Sequence, residues 1–293
     1  MIYQHAHSQF SFTKNTLEYR KNFFRKPIVL ISAVVFTILT MLSIIQTLLP
    51  NFLISTDEIN FILGAKSTPY ISIANAFNSI ILFIITLSVW IIYLKSNSRN
   101  PMSNPRSGLN ILYALSLISL IIAILSSLLI IAFAVMFFIA GPEVIFNEIY
   151  KVSPELSDMS NLLSSSVVIL CLIIAFLILL HPIAMFKFIA SLKSKEKYNY
   201  LPIKGCMLLG ILNIPVAISY ISSIFLYPVA YTYILNEKVI NGHLVLFEKM
   251  NYFPMIYLGL YSILAILMVI LPLYYRSYAK RVNLNLNNSI QHS

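Results

Sequence analysis

The stretch Leu109–Ala140 reads LNILYALSLISLIIAILSSLLIIAFAVMFFIA and contains no Asp, Glu, Lys, Arg or His. A helix needs about 20 apolar residues to cross a hydrocarbon layer of about 30 Å, and this run exceeds that requirement. Hydrocarbon offers backbone N–H and C=O groups no partners, and the period-two alternation of a barrel strand is missing, so the run pairs its own backbone as a helix. Its spare length implies tilt or extension into the headgroups rather than an additional span.

Outward from this run, five more of the same kind occur at about 28–54, 70–94, 161–190, 206–235 and 252–275. The composition agrees, with 59% apolar and 10% charged residues, whereas soluble domains carry roughly 25% charged residues. There are too few charges to coat a water-facing surface. The fold class expected is all-α, a polytopic membrane helix bundle of six transmembrane helices. It divides into a basic arm or interfacial helix over 1–27, a six-span domain over 28–275 and a tail over 276–293. Pro215, Pro228 and Pro272 inside the spans predict kinks.

Charge sets the orientation. Sixteen of the 20 lysines and arginines fall before span one, at or after the ends of spans two and four, or after span six; the others are Lys66, Lys151, Lys238 and Lys249. The positive-inside rule then puts both termini in the cytoplasm (N-in/C-in). Acidic residues divide the opposite way, with only Glu18 and Glu196 on the basic side. The net charge of +10 sits at the ends of apolar runs, which fits a bilayer with anionic headgroups as partner and not nucleic acid. The polar lead-in is long and no A-x-A site follows the first run, so span one is expected to be a retained anchor. Tyr19, Phe23 and Phe24 interleave with Arg20, Lys21, Arg25 and Lys26, as in an interfacial helix or a flexible basic lead. The Asn-rich stretch after Arg281 is expected to be disordered.

No Asp, Glu, Lys or Arg lies deep in a span, which disfavours proton relays, ion paths and voltage sensing. The familiar metalloprotease, hydrolase, P-loop and dinucleotide motifs are absent, so neither catalysis, a metal nor a cofactor is expected. Ser194-Lys195-Glu196-Lys197 spells S-x-x-K but reads as a charged, solvated loop. Cys171 and Cys206 read as small apolar side chains at different depths, unsuited to a disulfide. His181 precedes Pro182 and is expected to bond a neighbouring carbonyl at the kink.

Neutral polar residues form the candidate intramembrane site. Asn75, Asn78, Ser79 and Thr86 share one face of span two. Ser116, Ser119, Ala123 and Ser126 mark a similar stripe on span three. Asn213, Tyr220 and Tyr227 recur at heptad steps on span five, where Gly210, Asn213 and Pro215 form a candidate hinge. Such faces serve close packing with interhelical hydrogen bonds, or line a path for an uncharged or lipid-like ligand. Tyr220, Tyr227, Tyr257 and Tyr261 lie deep enough to need partners, which makes spans five and six neighbours. Two connections repeat LKS followed by PxxG, at Leu94–Ser96 with Pro105–Gly108 and at Leu192–Ser194 with Pro202–Gly205. These are low-information strings of the sort that turns favour.

Ser88–Lys95 (SVWIIYLK), Asn100–Ser103, Ser107–Leu112 (SGLNIL) and Phe24–Ile31 resemble segments of uncharacterised six-span membrane proteins of low-GC Gram-positive bacteria. The resemblance implies a bacterial plasma membrane and brings no activity or site residues. Six spans with a basic arm also look like the permease halves of ABC-2-type exporters, which implies transport with a separate ATPase as partner. The alternative expectation is a non-catalytic scaffold or accessory subunit, which would bind another protein through its basic loops or the acidic segment from Gly141 to Ser160.

The topology has a direct test. A reporter active only outside the cell is expected to work when fused after Ser67, Asp158 or Lys238 and to be silent after Asn100, Lys197 or Lys280. Activity at Asn100 would overturn the arrangement.

Overall fold

The computed structural model describes residues 17–48, 69–100, 103–140, 160–194, 200–236 and 253–291. Among them are a short helix over residues 17–24, α1, and six long ones: α2 (Pro27–Leu48), α3 (Pro69–Asn97), α4 (Arg106–Ala140), α5 (Ser160–Lys193), α6 (Cys206–Asn236) and α7 (Phe253–Gln291). Each long helix is apolar and long enough to cross a membrane. The protein is thus an all-helical, multi-pass membrane protein, as its sequence predicts. The segment Gly141–Met159, with most of the acidic loop, lies outside the described residues.

Successive spans pair as hairpins, α2 with α3, α4 with α5 and α6 with α7, and the hairpins join into a ring that α7 and α2 close. Hydroxyls hold the first pair. Ser43 Oγ lies 2.7 Å from Ser79 Oγ and Thr40 Oγ1 2.7 Å from Thr86 Oγ1, while Trp90 Nε1 donates to Thr37 Oγ1 at 2.9 Å. In the second pair Ser127 Oγ donates to the Ala175 carbonyl at 2.9 Å. In the third, a Cβ at Gly210 would stand 2.8 Å from Leu273 Cγ, so the Leu273 side chain of α7 packs directly on the α6 backbone where glycine leaves room for it.

The main buried cluster lies at the end of the bundle that carries the termini. Phe23 and Phe24 of α1 meet Ile92, Leu109, Phe188, Leu209 and Tyr275, contributed by the ends or beginnings of five spans. Here α1 takes a form between the two expected of the arm. It is a helix, but its aromatic side faces the bundle, with the Phe23 ring centroid 4.9 Å from that of Tyr275. It stops at Arg25 and Lys26 because Pro27 has no N–H to continue the ladder and biases its predecessor away from helix; Pro27 then opens α2, where the missing N–H costs nothing. Arg25 Nε donates to the Ser96 carbonyl at 2.7 Å, Arg20 reaches Ser194 Oγ at 3.5 Å, and the Tyr278 hydroxyl donates to the Tyr19 carbonyl at 2.7 Å. The arm thus ties α3, α5 and α7 together.

The same end corrects the expectation of a disordered tail. Helix α7 runs through 39 residues to Gln291, about 58 Å at 1.5 Å per residue, longer than a bilayer is thick. Ala279, Val282 and Leu286 are buried at helical spacing. Asn283 pins the chain at Leu201, accepting from its N–H at 2.7 Å and donating to its carbonyl at 3.0 Å. The asparagines suggested disorder, but the apolar stripe between them has the α5–α6 connection to pack on.

The two PxxG strings do one packing job. Asn104 Oδ1 accepts from the Arg106 N–H at 3.0 Å and caps α4. Gly108 then lies so close to α3 that a Cβ would be 2.6 Å from the Ser88 carbonyl oxygen. Gly205, at φ 79°, lies against α5, where a Cβ would be 2.7 Å from both Ala184 O and Phe188 N. Gly108→Ala is expected to cost about 1–3 kcal/mol, the usual range for overpacking, measured by unfolding in mild detergent. Gly259→Ala, inside α7 with nothing within 4 Å of the added carbon, should not destabilise, and helix propensity favours it by up to about 1 kcal/mol.

Candidate functional site

Several of the predicted polar residues bond across or along the helices. Ser79 is buried between Ser43 and Thr47 of α2, with Thr47 Oγ1 at 2.9 Å. Asn78, one residue earlier, is exposed and faces the Tyr261 hydroxyl. Asn75 lies outside the residues whose side chains are described. The face that the sequence treats as one unit is therefore divided, with Ser79 turned to α2 and Asn78 to Tyr261 of α7.

On α6, Asn213 is buried and its Nδ2 donates to the Leu209 carbonyl at 2.7 Å. That bond fixes the amide's orientation and leaves Oδ1 facing His181 Nε2 of α5 at 3.3 Å, so the imidazole donates from Nε2. His181 is thus satisfied across helices by a side-chain amide, not by the neighbouring carbonyl its sequence suggested. Pro215 lacks an N–H for the Ile211 carbonyl, yet Asn213 serves Leu209 instead, and Pro215 itself is exposed. Tyr220 stacks on Tyr261, centroids 5.4 Å apart at 17°, and Tyr257 Oη lies 3.4 Å from Tyr261 Oη. Spans five and six are therefore neighbours through these phenols. The side chain of Tyr227 lies outside the described residues.

None of Asn78, Ser79, Gly210, Asn213, Pro215 or Tyr220 lines the cavity that the bundle contains. This cavity, of about 500 Å³, lies inside the ring and is lined by all six spans and by α1. Phe23 and Phe24 form part of its lining at the end that carries the termini. Phe36 of α2, Leu267 and Leu271 of α7 and Phe188 of α5 supply further walls. Ser116 and Ser119 of the span-three stripe do reach it. On the remaining wall Gly108 of α4 packs against Ser88 and Ile92 of α3. Phe77 and Ile80 of α3 and Ile118 and Ile122 of α4 line the cavity while remaining 52–61% exposed. The cavity therefore opens sideways, between α3 and α4, onto the surface that faces lipid.

Sequence reasoning missed this site because its lining is ordinary span residues. On α3 the lining residues Ile81, Ile85 and Val89 recur at steps of four, but lipid-facing apolar residues recur in the same way. Among the described residues no three His, Cys, Asp or Glu side chains are grouped to hold a metal ion. Comparison with protein-family models, with curated proteins and with solved structures gave no match.

The hydroxyl contacts can be measured separately from the cavity. Ser79→Ala and Thr86→Ala are each expected to cost about 0.6 kcal/mol, typical of an interhelical hydrogen bond in a membrane. A double-mutant cycle of Thr40 and Thr86 in mild detergent should give a coupling of similar size; zero coupling would remove the ladder as the bond between α2 and α3.

Proposed function

We propose that this membrane protein is a transport-type, permease-like component that receives an uncharged, lipid-soluble ligand from the bilayer. The observation that carries the reading is the cavity's sideways opening between α3 and α4, combined with a lining that offers no charge. A water-soluble or ionic substrate would lose its hydration there without compensation, whereas an apolar one already dissolved in the bilayer loses nothing on entering. The distribution of lysine and arginine supports cytoplasmic termini, and the sequence resemblance supports a bacterial plasma membrane. No chemical step is assigned to the protein, and energy for directed movement would come from a partner such as a separate ATPase.

A specific observation favours the scaffold reading as second choice. Lys187, Lys204, Lys280 and Arg281 are exposed together at the end that carries the termini, a basic surface suited to anionic headgroups or an acidic partner protein.

The test uses cells lacking the protein, loaded with a neutral lipophilic dye. Cells complemented with the full chain are expected to clear the dye faster than the deletion strain. Ser119→Trp, which fills the cavity mouth, should abolish the difference while the purified variant keeps its thermal stability. Equal retention in all three strains would remove transport. A charge reversal at Lys204 and Arg281 that alone costs a copurifying partner would favour the scaffold.

A further inference from the structure

We infer that the occupant of the cavity is a hydrocarbon chain of a membrane lipid, threaded sideways between α3 and α4 with its headgroup left outside. This deepens the transport reading by naming the ligand class, but it rests on binding alone. Of the three serines in the lining, Ser119 lies exposed at the mouth, and the two buried ones have committed their only O–H to their own helices: Ser32 Oγ donates to the Ile28 carbonyl and Ser116 Oγ to the Tyr113 carbonyl, each at 2.8 Å. A ligand's polar group buried beside them would find little to bond, whereas methylene groups ask for nothing.

The cavity is also continuous with the lipid-facing surface, because Phe77, Ile80, Ile118 and Ile122 belong to both. An enclosed apolar void can stay dry and empty. One that opens onto fluid hydrocarbon cannot, since leaving it empty forfeits the dispersion contacts of its whole lining while a neighbouring chain fills it without crossing water. Along α3 the lining runs from Phe77 to Ile92, about 22 Å at 1.5 Å per residue, longer than one leaflet of about 15 Å. An extended chain matches that depth. Phe23 and Phe24 close the far end, where the buried ring cluster leaves the chain's terminal methyl no way out.

The experiment places a single tryptophan deep in the cavity. The full chain carrying Trp90→Phe and Leu271→Trp is reconstituted into vesicles of phosphatidylcholine brominated near the chain end. Bromine quenches at short range, so fluorescence at position 271 should fall relative to unbrominated vesicles. Adding Ser119→Phe at the mouth should restore it. A control carrying Trp90→Phe and Leu87→Trp, with the reporter on the lipid-facing side, should be quenched with or without Ser119→Phe, which shows that the variants insert and fold. If position 271 is unquenched while position 87 is quenched, or is quenched equally with the mouth blocked, the proposal is overturned. Quenching without dye clearance would keep the chain and remove transport; clearance without quenching would do the reverse.

Discussion

Hydrocarbon gives apolar side chains no reason to leave it, and everything in this bundle follows from where that rule stops applying. Within the membrane a leucine gains nothing hydrophobic by turning from lipid to protein, so spans meet there through hydroxyls, small residues and phenols. Where the chain emerges toward water the hydrophobic effect returns. The large core is found at that end: Phe23 and Phe24, Tyr275, Val282 and Leu286 are buried together, around connections that place Gly108 and Gly205 tightly against the preceding helices.

The cavity is the complement of that core. Each hairpin has its own internal bond, from the hydroxyl ladder of α2 and α3, through Ser127 with Ala175, to the tyrosines and Gly210 of α6 and α7. Between hairpins the bonds are fewer. Gly108 joins α3 to α4 near the end that carries α1, and beyond it Ile80, Ile118 and Ile122 line the cavity. Hairpins that are tight within and loose between, pinned at one end, leave room between them for the cavity.

Legibility in the sequence divides along the same physical line. Transfer free energy depends on residue type alone, so the six spans and their approximate bounds could be read from composition and run length. The Ser79 and Thr86 face could be read as glue because a hydroxyl in hydrocarbon must find a partner. The burial of α1 and the ordering of α7 past Arg281 could not, since both depend on surfaces assembled from distant segments: Tyr19 bonds Tyr278, and Asn283 bonds Leu201. The stripe Ala279, Val282, Leu286 was the available signal, and the asparagines between them obscured it. Nor could the cavity be read, because Ile84 against a void and Leu87 against lipid are the same chemistry at the same depth.

The two ends of the cavity are held by forces of different kinds, and that difference decides which of them yields. The floor is closed by rings packed on rings, Phe23 on Tyr275 and Phe188 on Tyr275, and by α1, whose bonds to Ser96, Ser194 and Tyr278 engage three spans. Opening it would separate apolar surface at the level where water is present and break several hydrogen bonds at once. The mouth between α3 and α4 is bounded by lipid and by apolar side chains that exchange one hydrocarbon neighbour for another when the helices move. Widening it costs little beyond the strain passed to the Gly108 contact. Under the proposed reading, motion that admits or releases a ligand is therefore concentrated on the lipid side, with the arm as the fixed point.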